Sequence, residues 1–142
     1  MMSRLTAPQV GIGQSIAVYN VFGPLHFPPT EHVLINPRVV RTSDLRWTAP
    51  EGCLSEPEAH SLVTRPLQID VESLDLDGAV RQQTFTGVEG RVVLHEIDHL
   101  NGVLFTDRGW EAGNLAASSL CYVSVLLASF AVARIAQSTE VH

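Results

Sequence analysis

The spacing of apolar and polar positions changes along this chain, and each change marks an element. Ile16, Ala17, Val18 and Tyr19 follow the turn signal Gly11-Ile12-Gly13 and predict a short strand over 14–19. Residues 22–31 carry Gly23, Pro24, Pro28 and Pro29 and are expected to form a loop. Val33-Leu34-Ile35 predicts a second strand, stopped by Asn36-Pro37. From Leu67 the period is two: Leu67, Ile69 and Val71 share one face, and Gln68, Asp70 and Glu72 the other. Asp77-Gly78 then predicts a hairpin turn, with 79–86 as the returning strand. Over about 88–101 the period becomes helical. Val92, Val93, Leu94, Ile97 and Leu100 form an apolar body, and Asn101-Gly102 forms a C-terminal stop. There is no internal repeat.

The last stretch departs from this alternation. No charged residue occurs from Leu115 to Ala133, a length within the range of a bilayer span. Ser118, Ser119, Ser124, Ser129 and many alanines dilute it. A buried or partner-packing helix is therefore preferred over membrane contact by residues 115–133. Residues 1–110 are expected to form the chemistry-bearing domain, and 111–142 an apolar helical tail.

Composition narrows the class. The 142 residues are 45% hydrophobic and 17% charged, which describes a globular protein with a real core. The net charge is −6, and the nine basic residues, all Arg, are scattered. No basic footprint for direct nucleic-acid binding is present. The N-terminal residues Met1 to Leu5 lack the apolar run of a signal peptide. Two cysteines, Cys53 and Cys121, make no disulfide framework, so a reducing cytoplasm is the expected location.

The candidate chemistry lies in the predicted helix. In His95-Glu96-Ile97-Asp98-His99 the two histidines stand one above the other on one helical face, about 6 Å apart. That spacing lets both reach one metal ion. The adjacent Glu can reach a metal-bound water without being a ligand. A helix this apolar is buried, and buried histidines need partners. A catalytic metal of the tetrahedral type takes three protein ligands and leaves one position open. The residues alone leave the third ligand open among His26, His32, His60, His142 and Cys53. Cys53 is distinguished by its neighbour Gly52, which permits close backbone approach, and by the affinity of thiolate for borderline and soft ions. Taken alone, a single Cys is more often a small buried hydrophobe.

Three segments together resemble the peptide deformylase family. They are Ala7-Pro8-Gln9-Val10-Gly11, Glu51-Gly52-Cys53-Leu54-Ser55 and His95-Glu96-Ile97-Asp98-His99-Leu100-Asn101-Gly102. Leu34-Ile35-Asn36-Pro37 and Arg65 fall in matching places, and the resemblance covers about residues 5–108. It implies that Cys53, His95 and His99 hold one divalent ion, Fe(II) natively and Zn, Ni or Co as replacements. It implies Glu96 as general acid and base, and Gln9 with the Leu54 backbone N–H as the oxyanion donors. It further implies that Glu51 and Arg65 pair beneath the Cys53 loop, that Gly52 and His60 contact substrate, and that the substrate is an N-formylmethionyl peptide met at the ribosome exit.

Departures from the family pattern are specific. Met2 and Arg4 stand where the family's first motif has glycines, with Thr6 in place of its first Ala. His60 replaces a usual Arg, and Leu94 a usual Gln. By this comparison the family's N-terminal helix is missing, so Arg4 is expected to crowd the pocket and the Gln9 arm to be loosely held. Two readings follow. One is a metal-dependent hydrolase that removes formyl from N-formylmethionyl peptides. The other is a deformylase-like protein with an intact metal site but little turnover, acting in binding or membrane association. An ordinary zinc peptidase is disfavoured, since its third ligand is usually His or Glu. The expected fold is α+β: short antiparallel sheets around a central metal-binding helix, followed by a C-terminal helix.

Overall fold

The computed structural model describes residues 2–23, 26–53 and 55–111. Two antiparallel sheets flank one helix. The first sheet is built from β1 (Met2–Thr6), β2 (Ile16–Gly23), β3 (His26–Thr42), β6 (Gln68–Leu74) and β7 (Val80–Thr86), in the order β1-β2-β3-β6-β7. The second is built from β4 (Arg46–Cys53), β5 (Glu56–Pro66) and the short β8 (Trp110–Glu111), in the order β4-β5-β8. Helix α1 spans Gly87–Leu100, and a single helical turn, α2, spans Phe105–Arg108. This is the expected α+β arrangement.

The apolar run of β2 is explained by burial on both faces. Ala17 and Tyr19 join Leu34, Ile69, Val71 and Phe85 to receive Val92, Val93 and Ile97 of α1. Ile16 and Val18 point the other way, into a smaller cluster with Leu5 and Ala7. Such burial of a strand erases alternation and leaves a continuous apolar stretch. Helix α1 begins after the extended Thr86 and has Glu89 in its first turn, where a carboxylate favours the positive helix end. It stops as predicted. The Asn101 backbone N–H returns to Ile97 O and Asp98 O, and Gly102 adopts a φ of 71°, which its lack of Cβ permits.

The β6–β7 hairpin also follows the sequence. Leu74 pairs with Val80, and the Asp75 carboxylate accepts from the backbone N–H groups of Asp77 and Ala79. Two boundaries differ from expectation. The described residues of 22–31 are strand where a loop was expected: β2 runs to Gly23 and β3 starts at His26, with 24 and 25 outside the described residues. Gly23 pairs with His26 and Val21 with Thr30, so Pro28 and Pro29 fall in an irregularity of the ladder where no N–H is required. Nor does Asn36-Pro37 end a strand. β3 continues to Thr42, 17 residues in all, and its register against β6 shifts between Ile35 and Arg38, with Asn36 at φ 50°. The Asn-Pro pair makes a bulge there, and the sheet is longer than the short strands expected.

No helix among the described residues is long and apolar enough to cross a membrane. The tail predicted over 111–142, including the 115–133 segment, lies outside the described residues from 112 onward.

Candidate metal centre and active site

The last residue of β4 and the C-terminal half of α1 meet at one point. Cys53 Sγ lies 3.1 Å from His99 Nε2, and His99 Nε2 lies 3.0 Å from His95 Nε2. All three donor atoms fall within 4.8 Å of one another, and they are the one such set of His, Cys, Asp or Glu among the described residues. The i, i+4 spacing supplies the two imidazoles from one helix face, and the strand end supplies the sulfur. His95 Nδ1 lies 3.1 Å from Glu51 Oε2. A carboxylate there accepts Nδ1–H and leaves the Nε2 lone pair turned toward the sulfur. Burial pushes the His95 pKa down to about 4, against the opposing hydrogen bond to Glu51, so the ring is a neutral donor near pH 7. Burial lowers His99 in the same sense.

Glu51 is held by more than the predicted partner. Arg65 grips it with two hydrogen bonds, Nε to Oε1 at 2.6 Å and Nη2 to Oε2 at 2.8 Å. Arg91 adds a third to Oε1 at 2.6 Å, while donating to the carbonyls of Val63 and Trp47 and lying over the Trp47 ring. Burial alone would raise the Glu51 carboxyl. The hydrogen bonds and charges of Arg65 and His95 outweigh it and hold that carboxyl well below the usual range. Arg65 also donates to Asp98 at 2.8 Å, and Asp98 is paired in turn with Arg108. Sequence reasoning missed Arg91, Asp98 and Arg108. The available signal for Arg91 was a cation one turn before His95 on an otherwise apolar helix face.

Glu96 is the odd carboxylate. Its side chain is 1% exposed, and neither oxygen has a hydrogen bond among the described residues. Its charged contact is Arg4 Nε, 3.2 Å from Oε1 but not aligned as a hydrogen bond. Burial pushes the Glu96 pKa up to about 8, with the charges of Arg4 and Arg65 acting against it. A carboxyl balanced near neutrality in a dry site can both take and return a proton.

Gln9 sits in a 3₁₀ turn, Ala7–Val10, that follows β1. Its Oε1 accepts from the Thr6 backbone N–H at 2.8 Å and the Thr6 hydroxyl at 3.0 Å. That fixes the amide so that Nε2 faces Ser55 Oγ at 2.8 Å and Cys53 Sγ at 3.9 Å. The expected looseness of this arm is therefore corrected: Thr6, at a position where the family has Ala, supplies the hydroxyl that pins it. His60 packs against Gly52, where an added Cβ would stand 3.1 Å from its Nδ1, so a larger residue there would push the imidazole aside by a few tenths of an ångström. The buried His60 Nε2 has no partner among the described residues. Leu54 lies outside the described residues. Of the other histidines considered, His32 stacks on Tyr19 and is not among the clustered donors.

A Cys-His-His donor set beside a buried Glu that accepts no hydrogen bond among the described residues, on a helix packed between two antiparallel sheets, is an arrangement suited to a hydrolytic metal centre. Residues 2–114 match the family model for polypeptide deformylase. A peptide deformylase of Synechococcus sp. is 45% identical over 104 residues, which is 73% of this chain and 51% of the relative. One of Synechocystis sp. is 41% identical over 104 residues, 73% of this chain and 55% of the relative. Among solved structures, a probable peptide deformylase from synechococcus phage S-SSM7 superposes with a TM-score of 0.69 at 38% identity, covering 74% of this chain and 70% of that one. A Met-Ala-Ser-bound class I type b peptide deformylase from Acinetobacter baumannii gives 0.66 at 33% identity, covering 74% and 69%. The chain belongs to the polypeptide deformylase family. It spans about half the length of the curated relatives named here.

Proposed function

We propose that this chain removes the formyl group from N-formylmethionyl peptides of nascent proteins by metal-dependent hydrolysis. The observation that carries the reading is the convergence of Cys53, His95 and His99 beside the buried Glu96. A divalent ion held by those three donors, Fe(II) by the family resemblance with Zn, Ni or Co as substitutes, would acidify water and polarise the formyl carbonyl. Glu96 takes a proton from the attacking water and later delivers it to the departing amine nitrogen, as the formyl C–N bond breaks. The products are formate and a peptide with a free amino terminus. Gln9 Nε2, held by Thr6, donates to the oxygen on which negative charge develops, and the Leu54 backbone N–H shares that role. Glu51, held by Arg65 and Arg91, keeps the His95 ring in the donor tautomer. Gly52 and His60 line the substrate side of the strand. The cytoplasm, at the ribosome exit, is where such a substrate would be met.

The test is turnover of formyl-Met-Ala-Ser by protein reconstituted with Fe(II) without oxygen, and with Ni(II) or Zn(II), followed by release of free amine. Metal-dependent turnover is expected. Fully loaded protein that releases no amine with any of the three ions would sink the reading.

A further inference from the structure

Two free strand edges approach each other at the candidate centre. Among the described residues β1 pairs only with β2, and β4 pairs only with β5. Arg4 lies on β1 and Gly52 on β4, and one guanidinium spans them. Its Nη2 donates to Gly52 O at 2.8 Å, and its Nε stands 3.2 Å from Glu96 Oε1 on α1. The Arg4 side chain is 24% exposed against 1% for Glu96, so the pair joins a partly solvated guanidinium to a buried carboxylate. A strand edge offers backbone groups that an extended peptide can pair with. Here the carbonyl one residue before Cys53 already holds a charge-assisted hydrogen bond.

We propose that Arg4 is a specificity-determining brace, linking the two strand edges across the substrate groove. An extended formyl peptide gains the groove only by displacing the guanidinium from Gly52 O and supplying its own N–H to that carbonyl. The inference rests on the deformylase reading above for the identity of the peptide. The contact is lost equally in the bound ground state and in the transition state. Its signature therefore belongs in the affinity for unformylated peptide, a readout that does not involve proton transfer by Glu96. A groove open about one tenth of the time raises the apparent Kd about tenfold. Lys at this position keeps the charge beside Glu96 but lacks the fork that reaches two acceptors at once.

The experiment measures Kd for the unformylated tripeptide Met-Ala-Ser, and KM and kcat for formyl-Met-Ala-Ser. It uses metal-loaded wild type, Arg4→Ala and Arg4→Lys, with the thermal midpoint as a check on folding. Arg4→Ala is expected to tighten Kd for Met-Ala-Ser about tenfold, and Arg4→Lys, which keeps the charge beside Glu96, to fall between. An unchanged or weaker Kd in the folded variants overturns the brace. If the Ala variant does not fold, the Lys variant decides. Kd tightening in a protein without turnover would support the brace and sink the deformylase reading. Turnover with Kd unmoved would do the reverse.

Discussion

At the scale of single residues, neighbouring carboxylates acquire opposite characters from their surroundings. Glu51 and Glu96 are both nearly buried, yet three arginine hydrogen bonds hold Glu51 ionised, while Glu96 has none and is pushed up to about 8 by burial. Environments that drive two acids apart separate a structural anion from a proton-transfer group. Glu96→Gln should accordingly fold and retain metal but lose about 10²–10⁴ in rate, because the amide cannot accept the water proton. Metal analysis together with turnover checks this. Loss of metal from the variant would make Glu96 a ligand and overturn its assigned role. The motif His95 to His99 was legible because the i, i+4 relation is local. Gln9 and Cys53 were legible only by resemblance, since nothing local reveals that they lie 3.9 Å apart. The hydroxyl of Thr6 that holds Gln9 was hidden for the same reason.

At the scale of elements, α1 carries both the core and the centre. Val92, Val93 and Ile97 pack on the large sheet, while Arg91, His95 and Glu96 serve the site. Arg91 connects the helix to β4 and β5 through Glu51 and the carbonyls of Trp47 and Val63. Arg91→Met removes one grip on Glu51 while keeping an apolar stem over Trp47. It should weaken Zn(II) affinity by about 10–100-fold, the usual effect of disturbing the partner of a ligating histidine. A competition assay against a chromophoric chelator checks this, with circular dichroism to confirm the fold. Unchanged affinity would make Arg91 a packing residue only. Strands β4 and β5 escaped sequence detection because their inward positions are Trp47, Ala49 and Glu51, then Ser61, Val63 and Arg65. Site-building polar residues replaced the apolar half of the alternation. The β6–β7 hairpin was legible because Ile69 and Val71 only fill the core.

At the scale of the whole molecule, the buried titratable groups set how metal-free stability depends on pH. His95 and His99 have folded pKa values lowered from 6.5, His95 to about 4. Their neutral state favours folding above pH 6.5, and that contribution is lost as pH falls below it. Glu51 is depressed from 4.5, so its contribution is likewise lost below that value. Glu96 is raised from 4.5 to about 8, so the folded state holds a proton the unfolded state has released, and stability falls as pH rises toward 8. Toward pH 4 the histidines and Glu51 act together against the fold, and above pH 6.5 Glu96 acts alone among these groups. The urea midpoint of metal-free protein should therefore fall as pH drops from about 5 to 4 and fall again as pH rises from about 7 to 8. A midpoint still rising between pH 7 and 8 would show that Glu96 ionises freely in the fold.

The sequence by itself determined the local features. It set the helix with its histidine pair and its stop at Asn101-Gly102, the β6–β7 hairpin, and the family through three short motifs. These depend on periodicity and on residue types within a few positions of one another. Tertiary structure alone decided that β3 runs through its proline and asparagine signals, because a partner strand rewards continued pairing more than those residues oppose it. It alone gathered Arg65, Arg91, Asp98 and Arg108 around Glu51 and α1, from positions up to 57 apart in the chain from Glu51 to Arg108. It also brought the free edges of β1 and β4 within the reach of one arginine. Contacts between distant segments follow from sheet order and register, which no local pattern encodes.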